Sequence, residues 1–262
     1  MTEHKITDKT IRILFIAAEA DPFIKVGGLG DVAYALPKAL KDLPASGLIG
    51  DYKIDIRVAI PCHANVCQNL GDTKPKASFF IPYKEDKIPV NVFETQTNGH
   101  PVYLFSGAPI IPPDSPVYSG NNQVDGIKYF FFSLAVARQF IRQKTGGKIV
   151  NIASMLSFQG GVRIPSYTAS KSGVMGLTRL LACEWAPHRI NVNAIAPGYM
   201  ATDNTAPLRA DPKRSREILD RIPAGRWGTP DDLKGIAVFL ASEAASYLNG
   251  FTIAVDGGWL SR

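Results

Sequence analysis

Apolar and polar positions change rhythm along this chain, and the rhythm predicts its elements. Ile11–Ala18 (IRILFIAA) is a nearly unbroken apolar run, read as a buried strand, and a glycine-rich loop, DPFIKVGGLGD, follows it. From Val32 to Leu43 the apolar residues recur at helical spacing, with Asp31 as candidate N-cap. Ile54–Ile60 alternates and stops at Pro61, a second strand. Three short strands are predicted at Ala77–Tyr83, Val90–Thr95 and Val102–Phe105, joined as antiparallel hairpins and set outside the main sheet. Gly107–Asn122, rich in Pro, Ser, Gly and Asn, reads as a loop, and Tyr129–Gln143 as a helix ending at Gly146-Gly147.

The second half has a cleaner pattern. Strands are predicted at Lys148–Ala153, Ile190–Ala196 and Phe251–Val255. A helix opened by Ser166 or Thr168 runs to about Trp185. After a polar, mobile stretch from Tyr199 to about Arg214, a helix reaches Leu219. Another spans Pro230–Leu240, with Thr229 as N-cap and Pro230 in its first turn. Strands alternating with helices specify an α/β class. The architecture expected is a Rossmann-like, doubly wound, mostly parallel sheet assembled from two half-domains, with a small hairpin-rich insertion in the front half.

Composition narrows the partners. The chain has 262 residues and 45% apolar residues, enough to bury a core without covalent staples. Its net charge of +6 is dispersed and reads as a solvated surface, from which an anionic substrate or cofactor could benefit and which does not specifically indicate nucleic acid. Cys62, Cys67 and Cys183 are too few for a disulfide framework and read as scattered reduced thiols in a cytoplasmic setting, with no metal site. The polar start, MTEHKITDKTIR, lacks the apolar centre of a signal peptide, and no apolar run is long enough to span a membrane. His4, His63, His100 and His188 form no spaced pair, and Trp185, Trp227 and Trp259 read as core or interface anchors.

The chemistry concentrates in one spacing. Ser154 sits at a predicted strand end, Tyr167 on the next helix, and Lys171 four residues after Tyr167. A tyrosine alone has a pKa of about 10, too high for a base at neutral pH. A cation one helical turn away shares its face and favours the phenolate. A bare Tyr-x-x-x-Lys is most often a solvent-facing pair. Joined to a strand-end serine and a following strand that closes on Pro197-Gly198, it becomes a specific signal for proton transfer at a substrate oxygen.

Residues 135–262 resemble the short-chain dehydrogenase/reductase family through NIAS (Asn151–Ser154), YTASK (Tyr167–Lys171), INVNAIAPG (Ile190–Gly198) with Thr202 after it, and TIAVDGG (Thr252–Gly258). SMLSFQGG, RIPAGRWG and NGFTIAVDGGWLSR point to the branch that acts on 2-deoxy- or 2-keto-3-deoxy-gluconate sugar acids. The resemblance implies Ser154, Tyr167 and Lys171 as catalytic residues, and Lys171, Pro197, Gly198 and Thr202 as holding the nicotinamide end of NAD. Asn151 shapes the strand end. The family's assembly would make the chain a homotetramer through the helix from Tyr167 and the last strand.

Residues 11–133 resemble the N-terminal part of bacterial glycogen and starch synthases, through ILFIAAEADPFIKVGGLGDVAYALPKAL (Ile13–Leu40) and DGIKYFFFSLA (Asp125–Ala135). There Lys25, Gly27 and Gly28 imply contact with the phosphates of ADP-glucose. A glycine-rich loop opening a helix offers backbone N–H groups and a favourable dipole to phosphate, and a tight turn without a ligand is the competing reading. The dehydrogenase family's own dinucleotide glycines and Asn-Asn-Ala-Gly are absent, and its further catalytic Asn has no clear match, Asp125, Asn121 and Asn122 lying nearest. The expected organisation is therefore a half-domain over 1–134 and a catalytic half-domain over 135–262, joined near Phe130–Phe140 into one composite domain. The function expected is hydride transfer between NAD(H) and a sugar acid. A truncated glucosyltransferase and a non-catalytic fold chimera are the alternatives.

Overall fold

A computed structural model describes residues 10–17, 20, 22–23, 28–43, 52–62, 66, 70, 72–83, 86–97, 99–107, 133–134, 136–162 and 164–262. The front half builds strand β1 (Thr10–Ile16), helix α1 (Gly28–Lys41) and strands β2 (Lys53–Pro61), β3 (Ala77–Tyr83), β4 (Asp86–Thr97) and β5 (His100–Ser106). The back half builds β6 (Gly147–Ile152), α2 (Pro165–Trp185), β7 (Ile190–Pro197), α3 (Ala206–Ala210), α4 (Pro212–Leu219), α5 (Lys234–Ala241) and β8 (Thr252–Val255). The α/β, mostly parallel, Rossmann-like class read from the sequence is the class observed.

The strands fall into two sheets rather than one. The front sheet has the order β1-β2-β5-β4-β3, and the back sheet the order β6-β7-β8. β1, β2 and β5 run parallel, as do β6, β7 and β8. The hairpins β3–β4 and β4–β5 are antiparallel, as expected, but they do not lie outside the main sheet. β5 pairs with β2 from Val58↔Val102 to Pro61↔Phe105, so the hairpins extend the front sheet. The apolar alternation of β4 explains this: its Ile88, Val90 and Val92 are buried, while Lys87 and Pro89 face solvent.

The halves join through helices. α1 buries Ala33, Leu36 and Leu40 in a single stripe, in one cluster with Ile195, Met200, Leu233, Ala237 and Leu240 of the back half. Pro37 lies inside α1. An interior proline costs about 3 kcal/mol. Leu36 and Leu40 are each 1% exposed, and at roughly 2 kcal/mol for each buried leucine their packing outweighs that cost. At the other join, residues 136–143 are helical, and a Cβ on Gly147 would stand 2.4 Å from the Phe140 ring, so glycine lets this helix close on β6.

Other expectations shift. α1 is under way at Gly28, which makes Asp31 an interior residue rather than its cap. α2 opens at Pro165, ahead of Ser166 and Thr168, with no side chain capping it. The polar stretch after Tyr199 carries α3, and α4 starts at Pro212, where Asp211 accepts the N–H groups of Lys213 and Arg214. Cys62 is wholly buried just after β2 and is disulfide-bonded, so it is not a reduced thiol, whereas Cys183 is free and exposed. Cys67 and the junction residues 130–132 and 135 lie outside the described residues. No helix among the described residues is long and apolar enough to cross a membrane.

Candidate active site

Parallel pairing brings the C-terminal ends of β6, β7 and β8 to one edge, where ligands of open α/β sheets bind. β6 ends at Ile152, and Ser154 follows in extended conformation (φ −159°, ψ 159°), 6% exposed, as the cap of a tight turn, Met155–Ser157. Its Oγ accepts the Leu156 N–H at 3.2 Å. The Ser157 hydroxyl accepts the Ser154 N–H at 3.3 Å and donates to the Lys171 carbonyl at 2.7 Å. Lys171 Nζ in turn donates to the Ile152 carbonyl at 2.9 Å. Strand end and helix are thus laced together on both sides of the serine.

Tyr167 lies in the first turn of α2, 47% exposed, with Lys171 Nζ 5.7 Å from its ring centroid. The structure therefore gathers Ser154, Tyr167 and Lys171 into one cluster. It corrects the electrostatics expected of them. Desolvation of the phenol raises the Tyr167 pKa above the ordinary tyrosine value, and hydrogen bonding with the Ser154 side chain offsets only part of that. Lys171 Nζ is held by the Ile152 carbonyl while its ammonium stays beside the Tyr167 ring.

The other residues singled out at this edge are structural in what they visibly do. Asn151 Nδ2 donates to Thr178 Oγ1 at 2.9 Å, and Thr178 passes a bond to the Val174 carbonyl at 2.8 Å, pinning β6 to α2 as expected of a strand-shaping residue. Pro197 closes β7, and the Gly198 N–H donates to the Val255 carbonyl at 3.0 Å. A Cβ on Gly198 would lie 2.6 Å from the Asp256 Cα, so the close approach of the two strand ends requires glycine. Thr202 is buried and opens the turn Asp203–Thr205; its carbonyl accepts from Arg209 Nη2 at 3.0 Å. Lys25 and Gly27 lie outside the described residues, as do Asp125, Asn121 and Asn122, and Gly28 is the first residue of α1.

Sequence reasoning missed Ser157 and Thr178, and read Asp256 only as part of the turn that closes the last strand. Ser157 was detectable as the serine three residues after a cap serine, a capping-box spacing. Asp256 was detectable in Asp-Gly-Gly: its carboxylate accepts the Gly258 and Leu260 N–H groups at 2.9 and 3.0 Å and fixes the turn beneath Gly198. The donor set at the edge, a serine hydroxyl, a phenol and an ammonium, fits the ribose hydroxyls and carboxamide of a nicotinamide. A cleft of about 1900 Å³ lies elsewhere and is not lined by Ser154, Tyr167 or Lys171.

Residues 127–260 match the family model described as Enoyl-(Acyl carrier protein) reductase, and residues 12–152 match that of the Starch synthase catalytic domain. The chain is 77% identical over 133 residues to a 2-dehydro-3-deoxy-D-gluconate 5-dehydrogenase of Dickeya dadantii, covering 51% of this chain and 53% of that protein. It spans about half the length of the curated relatives it matches at such identity. The enzyme of the same name from Formosa agariphila is 36% identical over 186 residues, 68% of this chain and 70% of the relative. A solved structure from Agrobacterium tumefaciens, named for 2-deoxy-D-gluconate 3-dehydrogenase and holding NADP, aligns with a TM-score of 0.62 at 35% identity over 96% of each chain.

Proposed function

The chain belongs to the short-chain dehydrogenase/reductase family, and from that premise we propose that it is an oxidoreductase exchanging a hydride between a nicotinamide dinucleotide and a sugar acid of the 2-keto-3-deoxygluconate class. The observation that carries this reading is the cluster of Ser154, Tyr167 and Lys171 at the shared strand edge. When bound, the nicotinamide supplies or accepts the hydride. Ser154 Oγ holds the substrate oxygen. The Tyr167 hydroxyl gives that oxygen a proton in reduction, and the phenolate so formed is the base that takes it back in oxidation. With its pKa above the ordinary value, the phenol is protonated at neutral pH and ready as the acid. Lys171 would hold the nicotinamide ribose, with Pro197, Gly198 and Thr202 beside the ring. The composite 1–134 and 135–262 organisation and a homo-oligomer built on the exposed face of α2, where Gly173 and Gly176 are open, belong to the same reading.

Relatives that support the substrate class are the dehydrogenases named for 2-dehydro-3-deoxy-D-gluconate. The second reading is an ADP-glucose-binding module; residues 12–152 match the starch synthase model, whose description names no ligand. Titration with NADH, followed by energy transfer from tryptophan, tests both when repeated with ADP-glucose. Saturable NADH binding is expected. Turnover of the sugar acid should lie below that of an intact relative and fall at least about 100-fold in Tyr167→Phe with NADH affinity kept. No NADH binding at millimolar nucleotide overturns the proposal, and ADP-glucose binding in its place selects the second reading.

A further inference from the structure

The cleft of about 1900 Å³ is the seam between the two sheets. It is lined by consecutive residues, Arg12–Ile16 of β1 and Gly147–Ile152 of β6. Side chains of a strand alternate between faces, so a cleft over one face would collect every second residue. Unbroken runs mean that both strands open into it edge-on. Among the described residues β1 pairs only with β2, and β6 only with β7. Each strand therefore turns a row of backbone N–H and C=O groups toward the cleft, the Ile152 carbonyl being engaged by Lys171. Such edges are templates for an added strand.

Two further properties specify what fits there. Among the described residues, Arg57, Arg138, Arg142, Lys148 and Arg189 line the cleft, with Asp55 and Glu243 as its acids. Arg57 is neutralised by Asp55, but Arg138 and Arg142 stand exposed on the helical segment 136–143 beside the β6 edge. Leu14, Phe80 and Tyr247 also line the cleft as large apolar side chains left 38%, 61% and 104% exposed. Backbone edges give affinity for an extended chain, apolar anchors give it side-chain pockets, and the cationic rim selects its charge.

We propose that the seam binds an extended acidic peptide by strand addition, its backbone pairing with the edges of β1 and β6 that no described strand covers and its carboxylates facing the Arg138–Arg142 rim. The seam is not lined by Ser154, Tyr167 or Lys171, meets that cluster at the Ile152 carbonyl that Lys171 engages, and does not depend on the oxidoreductase reading. Fluorescence anisotropy of the full chain with a labelled peptide of alternating Glu and Val tests it. Saturable binding is expected, weakening with salt and falling roughly tenfold when Arg138→Glu and Arg142→Glu are combined. The same peptide methylated at alternate backbone nitrogens should lose its binding, which separates strand pairing from charge attraction without altering the protein. Failure of the Glu-Val peptide to bind, equal binding of its methylated form, or tighter binding of single-stranded DNA of equal charge overturns the proposal.

Discussion

At Tyr167 two influences compete, and their balance sets what the phenol does. Burial favours the neutral form, while the bond with Ser154 favours the ionised one, and burial wins. Ultraviolet titration of the nucleotide-free protein against Tyr167→Phe should therefore show one phenol ionising above the free tyrosine value of about 10. A difference spectrum developing near neutral pH would contradict the geometry described. The spacing of Ser154, Tyr167 and Lys171 was fully legible in the sequence. The direction of the Lys171 amine was not, because helical periodicity fixes which face a side chain leaves from, while a flexible four-carbon stem lets it choose the Ile152 carbonyl. The capping-box spacing announces Ser157 but not its second bond, to the backbone of Lys171, fourteen positions away.

Among the elements, the segment Pro230–Leu233 running into α5 shows how local chemistry fixes a boundary. Asp232 Oδ2 accepts the Thr229 N–H at 2.7 Å, and its carboxylate receives both arms of the Arg226 fork at 2.8 and 2.7 Å. Those bonds hold the Asp232 pKa well below the usual carboxylate range. A depressed carboxylate stabilises the fold above its unfolded pKa and loses that contribution as pH falls through its folded one. Asp232→Asn should lower stability at neutral pH by about 1 kcal/mol, as loss of a helix cap does, and the gap should close in strongly acidic solution. Equal melting temperatures at neutral pH would refute this. Thr229 and Pro230 announced this start, as the apolar run of β7 announced a strand buried from Val192 to Ala196. The opening of α2 was misread, since Pro165 and not a serine or threonine begins it.

For the whole molecule, the sequence carries two family resemblances but does not disclose how their strands would meet. Motifs are local, whereas the choice of a strand's neighbour depends on surfaces distant in the chain. The two sheets share one helical core through Leu36, Leu40, Leu233 and Leu240, yet β1 and β6 stop short of pairing. That interruption has an isotopic signature. A strand paired on one side engages every second amide, while a strand flanked on both sides engages nearly all of them. In deuterated water, β7 should retain protons at successive positions from Val192 to Ala196, while β1 and β6 exchange at alternating ones. Uniform protection along β1 and β6 would mean that in solution the seam zips shut and the protein presents one continuous sheet. Alternation would mean that half the amides along the molecule's midline keep time with the solvent.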